Sequence, residues 1–450
     1  MIRALLARLR LTHDNHKRIA TGAVSIGLVV LATKLCSAAR EMAIAWRYGI
    51  SAEVDAYQLA LTVTTWLPMW LSAVAGFVLV PRLIALRRSG GDKRFVDELN
   101  GGVLLLGGGL MALTWIAAPF VTDLVTSALP PATRHLAKSL ATNMAPIALL
   151  IVVGGYFAAR LQAREHYWFG VAEAAPALII ALFVILGSVD AAVAPLLYGT
   201  VLGWLVYALW LARMTAVADP PLGRLGLRHN SEQWQLLYGP IFAMGLGQLL
   251  LTATIPVDQV FAATLGEGAV STLGYVNRII TLITSFGFVV FARALLPVLS
   301  AAIAEGKHDL GRRQTLKWAW LMAGFAAAGT ALGWLLAPIG VQILFERGAF
   351  NAQDTALVSE VLRYALLQVP PFFAMIVLLQ YYAAANRYTV ILVINLIALL
   401  AKVAVNALLV GPMGVAGIAI STVVMYALMA LVLAIGSGER WSRRPQTKPA

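Results

Sequence analysis

The chain has 450 residues, 60% of them hydrophobic and only 12% charged, with a mean hydropathy of +0.80; an average soluble domain carries roughly 25% charged residues. A water-soluble fold is excluded, and so is a membrane β-barrel, because the apolar runs are too long for strands and lack their alternation. The net charge of +13 does not mark a nucleic-acid binder, since the cations stand at positions that encode membrane topology.

In chain order, residues 1–19 are basic with scattered Leu and Ile, a pattern that suits a short helix on the anionic inner leaflet. A helical crossing needs about 20 apolar residues. Spans are predicted at 20–46, 56–81, 99–121, 139–160, 169–187, 193–213, 235–262, 271–299, 317–341, 357–383, 389–409 and 414–435, an all-α polytopic membrane protein of twelve helices. The first run is long and lacks a small-residue cleavage site, so it reads as a retained helix. Cys36, inside it, is the sole cysteine, which rules out an internal disulfide. The longest loops, near 82–98, 122–138 and 214–233, are too short to fold as catalytic domains. The stretch 214–234, with Pro220 and Pro221, divides the spans six and six and reads as a linker between lobes at 20–213 and 235–435, ahead of a basic tail at 436–450.

Orientation follows from the cations. Twenty-four of the 34 Lys and Arg fall in the N-terminal segment, the even-numbered loops and the tail, among them Arg82, Arg87, Arg88, Arg160, Arg164, Arg224 and Arg228. Only Arg47, Arg134, Lys138 and Arg347 lie on the other side, which puts both termini in the cytoplasm. The halves also resemble each other. Leu79-Val80-Pro81 matches Leu295-Leu296-Pro297, Phe157-Ala158-Ala159 matches Tyr382-Ala383-Ala384, and Tyr207-Ala208-Leu209 matches Tyr426-Ala427-Leu428, at offsets of 216, 225 and 219. Six crossings per repeat imply parallel repeats about an axis along the membrane normal, an architecture suited to two lobes rocking around a central cavity.

A charge at the bilayer centre costs about 2.5–3.5 kcal/mol on insertion scales, so the ionisable residues inside spans are candidates for function. They are Lys34, Arg40, Arg278, Arg293, Arg363 and Lys402 against Glu41, Asp55, Glu173 and Asp258. Arg293, Arg363 and Glu173 stand near span ends, where snorkelling explains them. Ser271, Gly274, Arg278, Thr281 and Ser285 recur at helical spacing along one face; Asp55, Gln58, Thr62 and Thr65 repeat the pattern in span two, and Thr33, Ser37 and Arg40 in span one. Such stripes either line a wet cavity or mediate close helix packing. The surplus of cations favours an anionic guest, and Arg grips phosphate through paired hydrogen bonds. Glu41 and Asp258 are the candidates for ion coupling. No Walker motif and no His/Glu metal spacing occurs, so no cofactor is expected and transport would draw on an ion gradient or the membrane potential.

Five segments carry a further signal: Ala38-Ala39-Arg40-Glu41 with Tyr48-Gly49 and Asp55-Ala56-Tyr57; Gly274-Tyr275-Val276-Asn277-Arg278 leading to Leu296-Pro297; Phe345-Glu346-Arg347-Gly348-Ala349-Phe350; Arg363-Tyr364 before Pro370-Pro371; and Asn406 before Gly414-Val415-Ala416-Gly417-Ile418-Ala419. Together they resemble the MurJ/MviN lipid II flippases of the multidrug/oligosaccharidyl-lipid/polysaccharide exporter superfamily. The resemblance implies a MATE/MurJ-like fold in the bacterial inner membrane that moves an undecaprenyl-pyrophosphate-linked glycan outward by alternating access, within the cell-envelope biosynthesis machinery. It places Lys34, Arg40 and Arg278 at basic substrate-binding positions and Asp55 at an acidic one, while Thr281 stands where the family has an acidic residue. Arg363 and Lys402 join Glu41, Asp258 and Thr281 as cavity candidates. The alternatives are an exopolysaccharide or O-antigen unit flippase, or a cation-coupled multidrug exporter.

Overall fold

A computed structural model describes residues 29–88, 93–188, 191–220, 223–285, 308–385 and 387–436. Among these every regular element is a helix. In order they are α1 (29–48), α2 (Ala52–Arg88), α3 (Lys93–Val125), α4 (Pro131–Asn143), α5 (Pro146–Gln162), a 3-10 turn at Tyr167–Ala174, α6 (Ala175–Leu186), α7 (Ala194–Ala218), a 3-10 turn at Glu232–Trp234, α8 (Gln235–Thr252), α9 (Thr254–Ala263), α10 (269–285), α11 (His308–Phe345), α12 (Ala352–Leu366), α13 (Val369–Ala384), α14 (Tyr388–Met413) and α15 (Val415–Gly436). Helix is forced by the solvent: hydrocarbon offers no partner for a peptide group, so each crossing bonds its own backbone.

Nine helices of the described residues are long and apolar enough to cross a membrane, ten when the α4–α5 pair, bent by 45°, counts as one. These ten coincide with predicted spans two to seven and nine to twelve. Spans one and eight are represented by α1 and α10. The remainder of each, with Arg293 and the Leu295-Leu296-Pro297 match, lies outside the described residues, as do the basic segment 1–19 and the tail beyond Gly436. Large apolar side chains point outward along the crossings, Phe120 at 74% and Trp320 at 78% exposure among them, as lipid contact requires.

Spans four and ten are both built in two pieces. Pro146 opens α5 and Pro370 sits in the first turn of α13, where its missing N–H costs nothing. The second pieces begin at Pro146 and Val369, 223 residues apart, within the range of offsets between the matched sequence segments.

The helices group into two units. One holds Met1–Ala43, Leu67–Thr114 and Asn143–Ile241; the other holds Ile44–Trp66, Trp115–Thr142 and Phe242–Ala450. In the first, Val74, Leu83, Phe95, Leu99, Tyr156 and Leu237 form a buried core where α2, α3, α5 and α8 meet. The stretch expected as a linker is strapped to the start of α3. Gly226 N–H donates to the Asp97 carbonyl (2.8 Å) and Arg224 N–H to Asp97 Oδ1 (2.5 Å). The buried Glu98 carboxylate accepts from Asn230 N–H, Ser231 N–H and Trp234 Nε1 at 3.2, 3.1 and 2.8 Å. In the second unit, Met375, Tyr381, Tyr382, Met425, Met429 and Leu433 pack α13 against α15. A smaller cluster of Leu59, Val270, Leu273 and Ile418 joins α2, α10 and α15.

Asp219, just beyond α7, collects three guanidinium groups: Arg87 from the end of α2, Arg160 from the end of α5 and Arg164 after it. The ends of spans two, four and six therefore meet here. Burial alone would raise the Asp219 carboxyl, but hydrogen bonds from Arg164 and Arg160 and the charges of Arg160 and Arg87 hold it below the usual carboxylate range.

Two outcomes are expected. Glu98→Ala removes the acceptor of three part-buried donors, at a cost of about 1–3 kcal/mol, and trypsin should then cut the detergent-solubilised protein faster after Arg224 and Arg228. Because folding depresses the Asp219 pKa, its contribution is complete above the ordinary carboxylate value and is lost as pH falls through the lower folded value. Asp219→Asn should therefore flatten the acid limb of a Tm-against-pH profile.

Candidate functional site

The predicted residues fall into three groups, the first along α1. Thr33 Oγ1 donates to the Val29 carbonyl (2.9 Å) and to Gly170 O in the 3-10 turn (3.3 Å), and Ser37 Oγ donates to Thr33 O (3.0 Å). These small polar residues serve the helix and its packing, as the blander reading of the stripe had it. Lys34 is half-buried and its charge acts on Glu173 of the 3-10 turn. Arg40 engages the neighbouring Glu41 carboxylate through both Nε, at 3.1 Å, and Nη2. Glu41 is nearly sealed, at 3% exposure, so a carboxylate that would be costly alone is answered by a charge one residue away.

The second group joins the start of α2 to α10. Asp55 is completely buried, and its carboxylate caps another helix: Oδ2 accepts from Gly268 N–H (2.5 Å) and Oδ1 from Ser271 N–H (2.6 Å). A carboxylate at a helix N-terminus satisfies orphan amides and the positive end of the dipole together. One turn on, Gln58 lies against Gly274 so closely that a Cβ there would collide with its amide. The two polar stripes thus face each other over their first turns and form an interface there. Arg278 lies seven residues past Ser271, about 10 Å along the axis, half-buried. Thr281 is exposed and returns its hydroxyl to the Asn277 carbonyl (2.7 Å).

The third group is an internal ion pair of α9, α14 and α15. Lys402, 1% exposed, places Nζ 3.0 Å from Asp258 Oδ1 and donates to Thr422 Oγ1 at 2.5 Å, while Asn406 Nδ2 donates to the same Asp258 oxygen at 3.2 Å. Two residues proposed separately from sequence are one neutral pair. Arg363 belongs to none of these groups: Nε donates to the Trp334 carbonyl (3.2 Å) and the guanidinium stacks 5.1 Å from the Trp334 ring.

The motif segments converge on one clasp in the second unit. Tyr275, fully buried, lies between the rings of Phe345 and Phe350 at 5.1 and 5.4 Å and donates its hydroxyl to Gly49 O at 2.8 Å. Ala349 N–H donates to Trp46 O (2.8 Å). The approach demands glycine twice. Gly348 (φ +61°) has the Trp46 carbonyl where a Cβ would go, and at Gly49 (φ +59°) a Cβ would stand 2.6 Å from Ala349 O. Both charges of the Phe345–Phe350 motif are used locally, Glu346 accepting from Thr355 Oγ1 (2.7 Å) and Arg347 donating to Ile343 O (2.6 Å). The clasp and the Asp55 cap together aim α10 and the arginine it carries. Sequence reading missed the Asp219 cluster, because Arg87, Arg160 and Arg164 looked like topology markers and Asp219 like a loop residue; the signal available was one acid amid three nearby cation-bearing loops.

The lipid II flippase MurJ family model matches residues 44–448. A Burkholderia cenocepacia protein named "Lipid II flippase MurJ" is 27% identical over 437 residues, covering 92% of this chain and 83% of its own. A Bdellovibrio bacteriovorus protein named "Probable lipid II flippase MurJ" is 31% identical over 198 residues, which are 44% of this chain and only 38% of that protein's length. Among solved structures, a lipid II flippase MurJ in an inward closed conformation superposes with a TM-score of 0.76 at 16% identity, covering 92% of this chain and 87% of its own. The fold is shared with that structure, and the family match spans nearly the whole sequence: the chain belongs to the MurJ lipid II flippase family.

Proposed function

We propose that this protein flips lipid II, the undecaprenyl-pyrophosphate-linked peptidoglycan precursor, from the inner to the outer leaflet of the bacterial inner membrane by alternating access of lobes at 20–213 and 235–435. The observation that carries the reading is the family match over residues 44–448, and it favours lipid II over a surface-polysaccharide unit or a drug. The work is transport: no bond is made or broken, and partners in cell-envelope biosynthesis would supply and consume the lipid.

The chemistry of the site agrees. Lys34, Arg40 and Arg278 are cations on membrane helices, and a doubly charged pyrophosphate is the kind of guest that such cations favour. Arg278 is the rigid member, its helix tied by Asp55 and Tyr275. Arg40 is the exchangeable one: its contact with Glu41 must loosen for the guanidinium to turn fully to phosphate, which makes Glu41 the natural point for coupling binding to proton or ion uptake. Asp258 and Lys402 already neutralise each other. In this reading that pair braces the second unit and carries no substrate.

In cells depleted of the native flippase, Arg40→Ala and Arg278→Ala are expected to fail to rescue growth, with lipid II accumulating on the inner leaflet, because each removes a charge-assisted hydrogen bond to phosphate, worth about 1.5–3 kcal/mol. Full rescue by both variants rejects the anion site, and accumulation of a surface-polysaccharide intermediate with normal peptidoglycan rejects lipid II. Asp55→Ala separates scaffold from site: it should lower both Tm and rescue, whereas Arg278→Ala should lower rescue with a smaller loss of Tm.

A further inference from the structure

Arg87, Arg160 and Arg164 converge on the single carboxylate of Asp219, with Arg87 Nη2 2.7 Å and Arg160 Nε 2.9 Å from Oδ2, and Arg164 Nη2 2.7 Å from Oδ1. Arg160 also donates through Nη2 to the Asp219 carbonyl (2.9 Å). One carboxylate answers three guanidinium groups, so two positive charges remain. The C-terminal carbonyls of α2 and α5 offset part of this diffusely, yet they do not bond the donor that matters: Arg87 Nη1 is buried without a hydrogen-bond partner. A cluster built only to brace three helices would not spend a third arginine to leave a buried N–H unanswered.

The surroundings grade from closed to open. Arg160 is 3% exposed, Arg87 24% and Arg164 43%, so the cluster has a sealed floor and an accessible rim. Arg164 is held at the rim by the following turn, in which Glu165 takes a left-handed conformation (φ 57°) unusual for a residue with a side chain. Trp168, 62% exposed, follows four residues after Arg164, an aromatic of the kind that seats at the headgroup level. The span ends involved belong to the face that the cation excess assigns to the cytoplasm, where the leaflet carries anionic headgroups.

We propose that Arg87, Arg160 and Arg164 form a phosphate-binding site in which Asp219 is the resident competitor. The preferred guest is a phosphate group at the inner-leaflet surface, taken from an anionic phospholipid headgroup or from a soluble phosphate, bonding Arg87 Nη1 and the open edge of Arg164. The site is independent of the flipping reaction and of Lys34, Arg40 and Arg278.

The test uses the full-length protein in neutral detergent and follows thermal unfolding against phosphatidylglycerol, phosphatidylcholine and, at matched ionic strength, inorganic phosphate and chloride. Phosphatidylglycerol should raise the Tm of the wild type, and Arg87→Gln and Arg164→Gln should each raise the half-saturating concentration about tenfold, the effect of one charge-assisted hydrogen bond. Asp219→Asn removes the competitor and keeps every cation. It should begin from a lower Tm and respond at a lower concentration than the wild type, a gain that a purely structural cluster cannot produce. A response to phosphatidylglycerol alone identifies the lipid headgroup as the source, and a response to inorganic phosphate as well identifies the free anion. Equal responses in wild type and all three variants, or no response beyond that to phosphatidylcholine and chloride, overturn the site. Should the arginine variants fail to fold, the Asp219→Asn comparison decides alone.

Discussion

Hydrocarbon solvates neither a peptide group nor a charge, and that one constraint organises this protein. It makes the backbone helical, and it makes each buried ionisable side chain a structural event that some neighbour must answer. Asp55 answers the open amides of α10, Lys402 answers Asp258, Glu41 answers Arg40, and Asp219 answers three arginines at once. Apart from the Arg40–Glu41 contact within α1, these pairings join helices distant in sequence, so the charges that hydropathy would treat as errors are among the bonds that hold helices in register.

The same constraint separates scaffold from site. Tyr275, Gly49 and Gly348 form a tight clasp beside the Asp55 cap, and together they set the direction of α10. Arg278 then projects from a helix whose start is tied down. In the function proposed above, a site that releases its ligand on the far side of a membrane needs rigid presentation of a cation more than it needs tight contacts around it, since only interactions that differ between states move an equilibrium.

Much of this was legible in the residues. Apolar run lengths located the ten crossings seen among the described residues to within eight positions at either end, because a crossing has a length imposed by the bilayer. The motifs marked the family correctly. Their roles were less legible: the Phe345–Phe350 stretch serves packing and turn geometry, since aromatic rings and glycines in sequence give no sign of which carbonyl they will approach. The polar stripes of spans one and two and of α10 leave cavity lining and helix packing both open, and over the first turns Asp55 with Ser271 and Gln58 with Gly274 form a helix interface. Periodicity identifies a face and not what the face meets.

Composition and spacing by themselves determined that the chain lives in a membrane, that it is helical, where its crossings fall and which face carries the positive charge, because each of these depends on local sums over neighbouring residues. Tertiary structure alone decided which charges pair. Asp258 and Lys402 are 144 positions apart in sequence and touch; Asp219 meets arginines from two other span ends; Thr281 turns its hydroxyl back to its own helix. Coulomb energy falls with distance in space, and separation along the chain says little about that distance once helices have packed.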